Sequence, residues 1–402
     1  MKKFLFPVLA AIAGFVIFAA ALSADEPAKS VRFQRTQLDA KFRSEGVAVA
    51  DFNKDGKLDI AAGWVWYEAP DWKMHNLTEK APDVDPRGYS NAFCCFAEDV
   101  NHDGWPDLLV VDFPGTPTWW FENPKEAGKL WPKHVVTPVT NNESPTYLDL
   151  NGDGKKELIC AVSLDPKAPD GPERVMAYLT PKEDPNAEWT IHVISAKGAP
   201  GTARYAHGLG VGDVNKDGKN DIVVGDGWWE APAKDDGSEW KWHAAKLGGL
   251  GAQMYVYDFD GDGDNDVFSS SPHAFGMWWH EQVGKDEWTS HEIDKTFSQI
   301  HGVCFADMNG DGLPDIVCGK RFWAHAPAAD GKGGDPGVNE PAVFFWWELK
   351  RESGRPVFVP HQFDHNSGVG TQFELADVNG DKLLDIVASN KKGVHLFTQV
   401  RE

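Results

Sequence analysis

Seven times in this chain a short acidic segment recurs with its charges in the same places. It reads DFNKDGKLDI from Asp51, DVNHDGWPDL from Asp99, DLNGDGKKEL from Asp149 and DVNKDGKNDI from Asp213. It returns as DFDGDGDNDV from Asp258, DMNGDGLPDI from Asp307 and DVNGDKLLDI from Asp377. Successive copies start between 45 residues (213 to 258) and 70 residues (307 to 377) apart. A repeat of that length specifies one supersecondary unit used seven times, each copy burying its apolar face against the next. No other feature of the sequence limits the fold as strongly.

The spacing also carries chemistry. Oxygen-bearing side chains at positions 1, 3, 5 and 9, with glycine at 6, can surround a hard cation in a tight turn. The expected calcium ligands are Asp51, Asn53, Asp55 and Asp59 in the first copy, and Asp99, Asn101, Asp103 and Asp107 in the second. The third and fourth copies supply Asp149, Asn151, Asp153, Glu157, Asp213, Asn215, Asp217 and Asp221. The remaining copies supply Asp258, Asp260, Asp262 and Asp266, then Asp307, Asn309, Asp311 and Asp315, then Asp377, Asn379, Asp381 and Asp385. An EF-hand is excluded, because its loop ends in a glutamate at position 12, where Ala62 and Val224 stand here. The competing reading is a set of acidic turns without ions, since Asp, Asn and Gly turn the chain unaided. In the seventh copy Lys382 replaces the glycine, which strains the turn and adds a positive charge.

The flanks have strand composition. One apolar run precedes each loop and another follows it, and an aromatic strand comes next: WVWYE, TWWFE, GWWE, MWWHE or FFWWE. A fourth strand often carries W-x-x-H, as in WKMH from Trp72 and WKWH from Trp240. Those histidines keep step with the repeat on outer strands and read as structural. Four strands per repeat make a propeller blade, so the fold expected is an all-β, seven-bladed β-propeller with calcium-binding loops between strands 1 and 2 of each blade. The last repeat stops after its third strand, whereas residues 31–38 resemble an unattached fourth strand. The N-terminal strand should therefore close the last blade and remove its free edge.

At these residues the chain resembles the VCBS/FG-GAP repeat family, the calcium-binding propeller repeats also present in integrin α chains. The resemblance runs over roughly residues 31–402 and implies the fold, not an activity. GKRFWAHAPAADGKGGDPGVNEP, HGLGVGDVNKDGKNDIVVGDGWWEAP and SPHAFGMWWHE are in addition similar to the propeller part of aldos-2-ulose dehydratase-type proteins. That second resemblance implies elimination of water from a keto-sugar, with a base taking the proton beside the carbonyl.

Residues 1–24 form a leader, with Lys2 and Lys3 before an apolar run and small residues around Ala21 to Ala24. The run is long enough to serve either as a cleaved signal peptide or as an anchor. Export to the periplasm or outside the cell is expected, with residues 25–402 as one propeller domain and no membrane contact beyond the leader. A net charge of −22 argues against nucleic acid as a partner, which requires a basic surface. Five cysteines leave at least one unpaired. Cys304 and Cys318 flank the sixth loop symmetrically and read either as a disulfide or as two buried thiols.

Function is expected at the opposite end of the blades, where segments differ from repeat to repeat. His207 and His301 occupy matching places six residues before Asp213 and Asp307, in HGLGVGD and HGVCFAD. Both are candidate general bases, or ligands of a second metal together with His273 or His325. Arg204, Lys320 and Arg321 are candidate charge stabilisers, and Arg87, Tyr89, Glu143, His273 and His325 candidate substrate contacts. Among the 18 tryptophans, Trp64, Trp228 and Trp323 are the ones expected near the pocket. The residues between Lys320 and Phe344, rich in Gly, Asp and Pro, read as a lid or as a surface bulge. The leading functional expectation is an exported carbohydrate dehydratase or lyase working by β-elimination. The alternative is a non-catalytic propeller binding glycan or protein.

Overall fold

A computed structural model describes residues 30–126, 128–248 and 251–401. The expected leader over residues 1–24 lies outside them. Among the described residues there is no helix, and so none long and apolar enough to cross a membrane.

The strands pair as seven antiparallel groups of four. In the first group Ala48–Ala50, Asp59–Ala62, Val65–Glu68 and Lys73–Asn76 follow one another outward. Equivalent groups begin at Cys94, Thr146, Leu209, Gln253 and Ile300. The seventh runs Phe373–Ala376, Asp385–Asn390 and Gly393–Arg401, and its outer strand is Val31–Asp39, paired antiparallel with Gly393–Arg401. Neighbouring groups meet at their inner strands. Leu209–Gly212 pairs in parallel with Gln253–Tyr257, and Ala48–Ala50 lies against both Cys94–Glu98 and Phe373–Ala376. The chain is an all-β propeller, and the N-terminal strand closes its ring.

The second strands explain their own sequence. Asp107–Val111 and Asp266–Ser270 are buried along their whole length, because each sheet has another on either face. Such strands read as continuous apolar runs instead of alternating ones. Between the first two blades Phe52, Ala61 and Trp66 pack with Leu108, Val110, Phe121 and Trp131. Between the third and fourth, Ile159 and Met176 meet Ile222, Trp229 and Trp240. Each fully buried large side chain contributes about 1.5–3 kcal/mol.

Four of the W-x-x-H histidines, and His361 in the sixth blade, form a ladder with the aromatic strand. His75 stacks on Trp66 (4.4 Å between centroids) and its Nε2 meets Glu68 at 2.8 Å. His134 repeats this on Trp120 and Glu122, His243 on Trp228 and Glu230, and His291 on Trp279 and Glu281. His361 does the same on Trp346 and Glu348. Asn53 Nδ2 donates to Glu68 at 3.3 Å, as Asn101 does to Glu122 and Asn309 to Glu348. The outer histidine, the strand-three glutamate and the acidic loop are thus one chain of contacts.

All five cysteines are free thiols. Cys304 lies opposite Val317 and Val303 opposite Cys318, so a one-residue offset puts the two sulfurs on opposite faces of their sheet.

Candidate functional site

Antiparallel connection sends the seven acidic loops to one end of the ring and the second-to-third-strand turns to the other. In the first loop Asp51 accepts from the backbone N–H groups of Asp55 and Gly56, at 3.0 and 2.9 Å. Asn53 Oδ1 also accepts from Asp55 N–H, which folds positions 1, 3 and 5 toward one another. Asp258, Asp260 and Asp262 each offer a carboxylate oxygen within 4.8 Å of the others. Gly56, Gly104 and Gly218 take φ near +88°, a conformation that favours glycine, and Lys382 takes φ +70° at the same place in the seventh loop.

Position 9 is tied to the backbone. Both oxygens of Asp59 accept backbone N–H groups, from Phe52 at 3.0 Å and Ala69 at 2.8 Å. Asp107, Asp221, Asp266, Asp315 and Asp385 repeat the pattern, tying loop, second strand and third strand together. Burial pushes the Asp59 and Asp221 carboxyls up to about 6 and those of Asp107 and Asp315 up to about 7, against the pull of these hydrogen bonds.

At the other end three histidines meet. Tyr205 (φ +65°) and Gln299 (φ +60°) hold rare left-handed conformations two residues before His207 and His301. Their carbonyls receive the Nδ1 atoms of His207 at 2.8 Å and His301 at 3.4 Å. A carbonyl only accepts, so each Nδ1 carries a proton; that leaves a lone pair on His301 Nε2, whereas His207 Nε2 faces the Glu143 carboxylate. Both Nε2 atoms are buried and without a hydrogen-bond partner. His273 directs Nδ1 to Asp335 at 3.1 Å, and its ring lies 4.7 Å from His207 and 5.3 Å from His301. The three histidines bring one ring nitrogen each within 4.8 Å of the others. Burial, and then the positive charge of Arg321, hold the His301 imidazole well below its usual range, so it stays neutral.

A charged chain backs this cluster. Glu143 Oε2 lies 3.2 Å from His207 Nε2, without hydrogen-bond alignment, and 3.4 Å from Arg321 Nη1. Arg321, 2% exposed, donates to Glu45 through Nη2. Burial works to raise the Glu143 carboxyl, but His207 and Arg321 outweigh it and hold it at about 2. The insertion folds over the site. His325 turns Nδ1 onto Asp335 at 3.0 Å and stacks on His273 at 4.6 Å, with more than half of its side chain exposed.

A sequence description of the FG-GAP-like repeat matches residues 99–160 and 258–318, the first spanning the second and third acidic loops and the second spanning the fifth and sixth. The chain carries FG-GAP-like repeats. Among solved structures it is similar to an Agrocybe aegerita lectin that recognises non-reducing terminal N-acetylglucosamine, at 12% identity and TM-score 0.47, covering 92% of this chain and 86% of that one. It is also similar to rhamnogalacturonan lyase YesW, at 14% identity and TM-score 0.46, covering 91% and 75%. A third is the Pseudomonas aeruginosa periplasmic gluconolactonase PpgL, at 13% identity and TM-score 0.41, covering 92% and 96%. No curated protein sequence matches the chain.

Placed on the FG-GAP-like repeats, the expected site residues sort themselves. His207, His273, His301, His325, Glu143 and Arg321 come together. Lys320 turns its buried ammonium to the carbonyls of Gly337 and Glu340 and so pins the insertion. Arg87 donates to the Pro327 carbonyl and the Tyr89 hydroxyl to that of Ala324, so both hold the same segment. Arg204 is drawn to the rim, where it donates to Pro114 O at 2.9 Å and packs over Tyr205. Trp228 is buried in the outer ladder, away from the pocket.

Three residues of the cluster escaped sequence reasoning. Glu45 is buried beside Arg321, yet its place was legible. It stands six residues before Asp51, as Glu143, His207 and His301 stand before Asp149, Asp213 and Asp307. Lys391 lies fourteen residues after Asp377, as Arg321 lies fourteen after Asp307. Asp335 belongs to the unrepeated insertion, where no periodic signal exists.

Proposed function

We propose that this is an exported, metal-dependent carbohydrate lyase or dehydratase, with its reaction centre at the three-histidine end of the ring and structural calcium in the acidic loops. The observation that carries the reading is the meeting of His207, His273 and His301, one ring nitrogen each within 4.8 Å of the others, with the buried Nε2 of His301 left without a hydrogen-bond partner. Three imidazoles held by a carbonyl, a second carbonyl and a carboxylate are the donor set of a divalent transition metal with an open position. Such an ion supplies Lewis acidity toward a sugar oxygen. His325, oriented by Asp335 and open to solvent, is the residue to move the proton from the carbon beside the carbonyl. Tyr89, Phe113 and Tyr205, with centroids 5.5 and 5.7 Å apart in series, offer aromatic faces at the rim for sugar stacking.

Metal analysis of the purified protein tests the first half. About one transition metal per chain is expected, and His273→Ala or His301→Ala should remove it with the fold intact by circular dichroism. Incubation with keto-sugars should then generate a conjugated, ultraviolet-absorbing product, and His325→Ala should slow this by roughly 100- to 10,000-fold. Equal metal content in wild type and both variants would sink the proposal. Metal and sugar binding without turnover would instead favour a glycan-binding module.

A further inference from the structure

Resting on that reading, we infer that Lys391 forms an anion subsite beside the histidine cluster, and that the substrate is a sugar bearing a carboxylate. Lys391 is 6% exposed, and its Nζ has no hydrogen-bond partner. A buried ammonium without an acceptor is costly, which makes this atom the unmet demand of the site. The other expected cations of this end are engaged: Lys320, Arg87 and Arg204 all donate to backbone carbonyls.

The position is built into the repeat. Lys391 and Arg321 occupy equivalent places on the adjacent seventh and sixth blades, just after each second strand. Both face the ring of Tyr89, with Lys391 Nζ 4.6 Å and Arg321 Cζ 5.7 Å from its centroid. The Phe42 ring also lies near the ammonium, with its centroid 5.9 Å away. Tyr89 is itself 36% exposed, so the subsite adjoins the open rim. Arg321 already meets two carboxylates, Glu45 and Glu143, and Lys391 is left as the cation without a direct counter-ion. One unmatched positive charge suits a monoanionic carboxylate better than a dianionic phosphate. Burial and repulsion from Arg321 lower the amine to about 8, against Glu45, Glu143 and Asp85, so it remains largely protonated at neutral pH.

Calorimetric titration of the metal-loaded protein with sodium glucuronate, sodium galacturonate and their neutral methyl esters tests this. At least one uronate should bind roughly tenfold or more tightly than its ester. Lys391→Met should bring the acid down to the affinity of the ester while leaving metal content unchanged, and Lys391→Arg should restore the preference. Equal affinity for acid and ester in the wild type, at full metal content, overturns the subsite and leaves the metal centre standing. So does a borohydride-trapped keto-sugar adduct on Lys391, which would make the amine a nucleophile instead of a clamp. Loss of metal from His301→Ala with the acid preference retained would support the subsite independently of turnover. If Lys391→Met gives no cooperative melt, Lys391→Gln replaces it with the same expectation.

Discussion

Single side chains in this ring carry charge into places that disfavour it. Glu374, on the inner strand of the seventh blade, accepts from Val49 N–H at 2.9 Å, and burial raises its carboxyl to about 7. A folded-state value above the unfolded one means that the native protein holds the proton more tightly. The associated stability is complete below about pH 4.5 and is lost as pH rises through 7. Glu374→Gln keeps the acceptor oxygen and removes the titration. It should therefore stabilise the protein at pH 8 by about 1–3 kcal/mol and change little at pH 5. Thermal melts of both proteins at the two pH values check this, and an equal shift at both would refute it. The histidines of the site show the opposite economy of design, since His207 and His301 gain their orientation from a single backbone carbonyl each.

Among the elements, the acidic loop combines two roles that the repeat pattern presents as one. Positions 1, 3 and 5 face one another, whereas position 9 is already committed to two backbone N–H groups before any ion arrives. Asp315 illustrates this, with Met308 N at 2.9 Å and Leu349 N at 3.0 Å. Asp315→Asn would set an amide NH2 against one of these donors and cost about 1–3 kcal/mol. The loss should appear in melts run both with calcium and with a chelator, on top of any fall expected of the wild type if the loops hold calcium. A defect seen in calcium alone would show position 9 to be purely a ligand. The aspartates and the blade pattern were visible in the sequence because they recur, and His207 and His301 stood out because they break an otherwise apolar strand entrance. Glu45 and Lys391 look like ordinary surface charges until their repeat positions are compared. Asp335 gives no signal, since only the folding of the insertion brings it to His273 and His325.

On the scale of the whole molecule, the ring places the acidic loops and the histidine cluster at opposite ends of the same strands. Its integrity depends on one seam, where Val31–Asp39 pairs with Gly393–Arg401, Arg35 meets Asp364 at 3.1 Å, and Phe33 packs on Phe363. Removing residues 30–39 would expose Gly393–Arg401 as an edge strand and invite pairing between molecules. Size-exclusion chromatography should show oligomers and melts a lower midpoint, whereas a monomer of unchanged stability would contradict the seam's importance. The seam also sets a timetable. Gln37 bonds to the carbonyl of Lys392, 355 residues further along. A chain emerging from the ribosome must carry its first strand unpaired until its last strand is made. A product cut short before Gly393, wherever translation halted, lacks the partner for that strand and leaves the first blade's neighbour without its outer half.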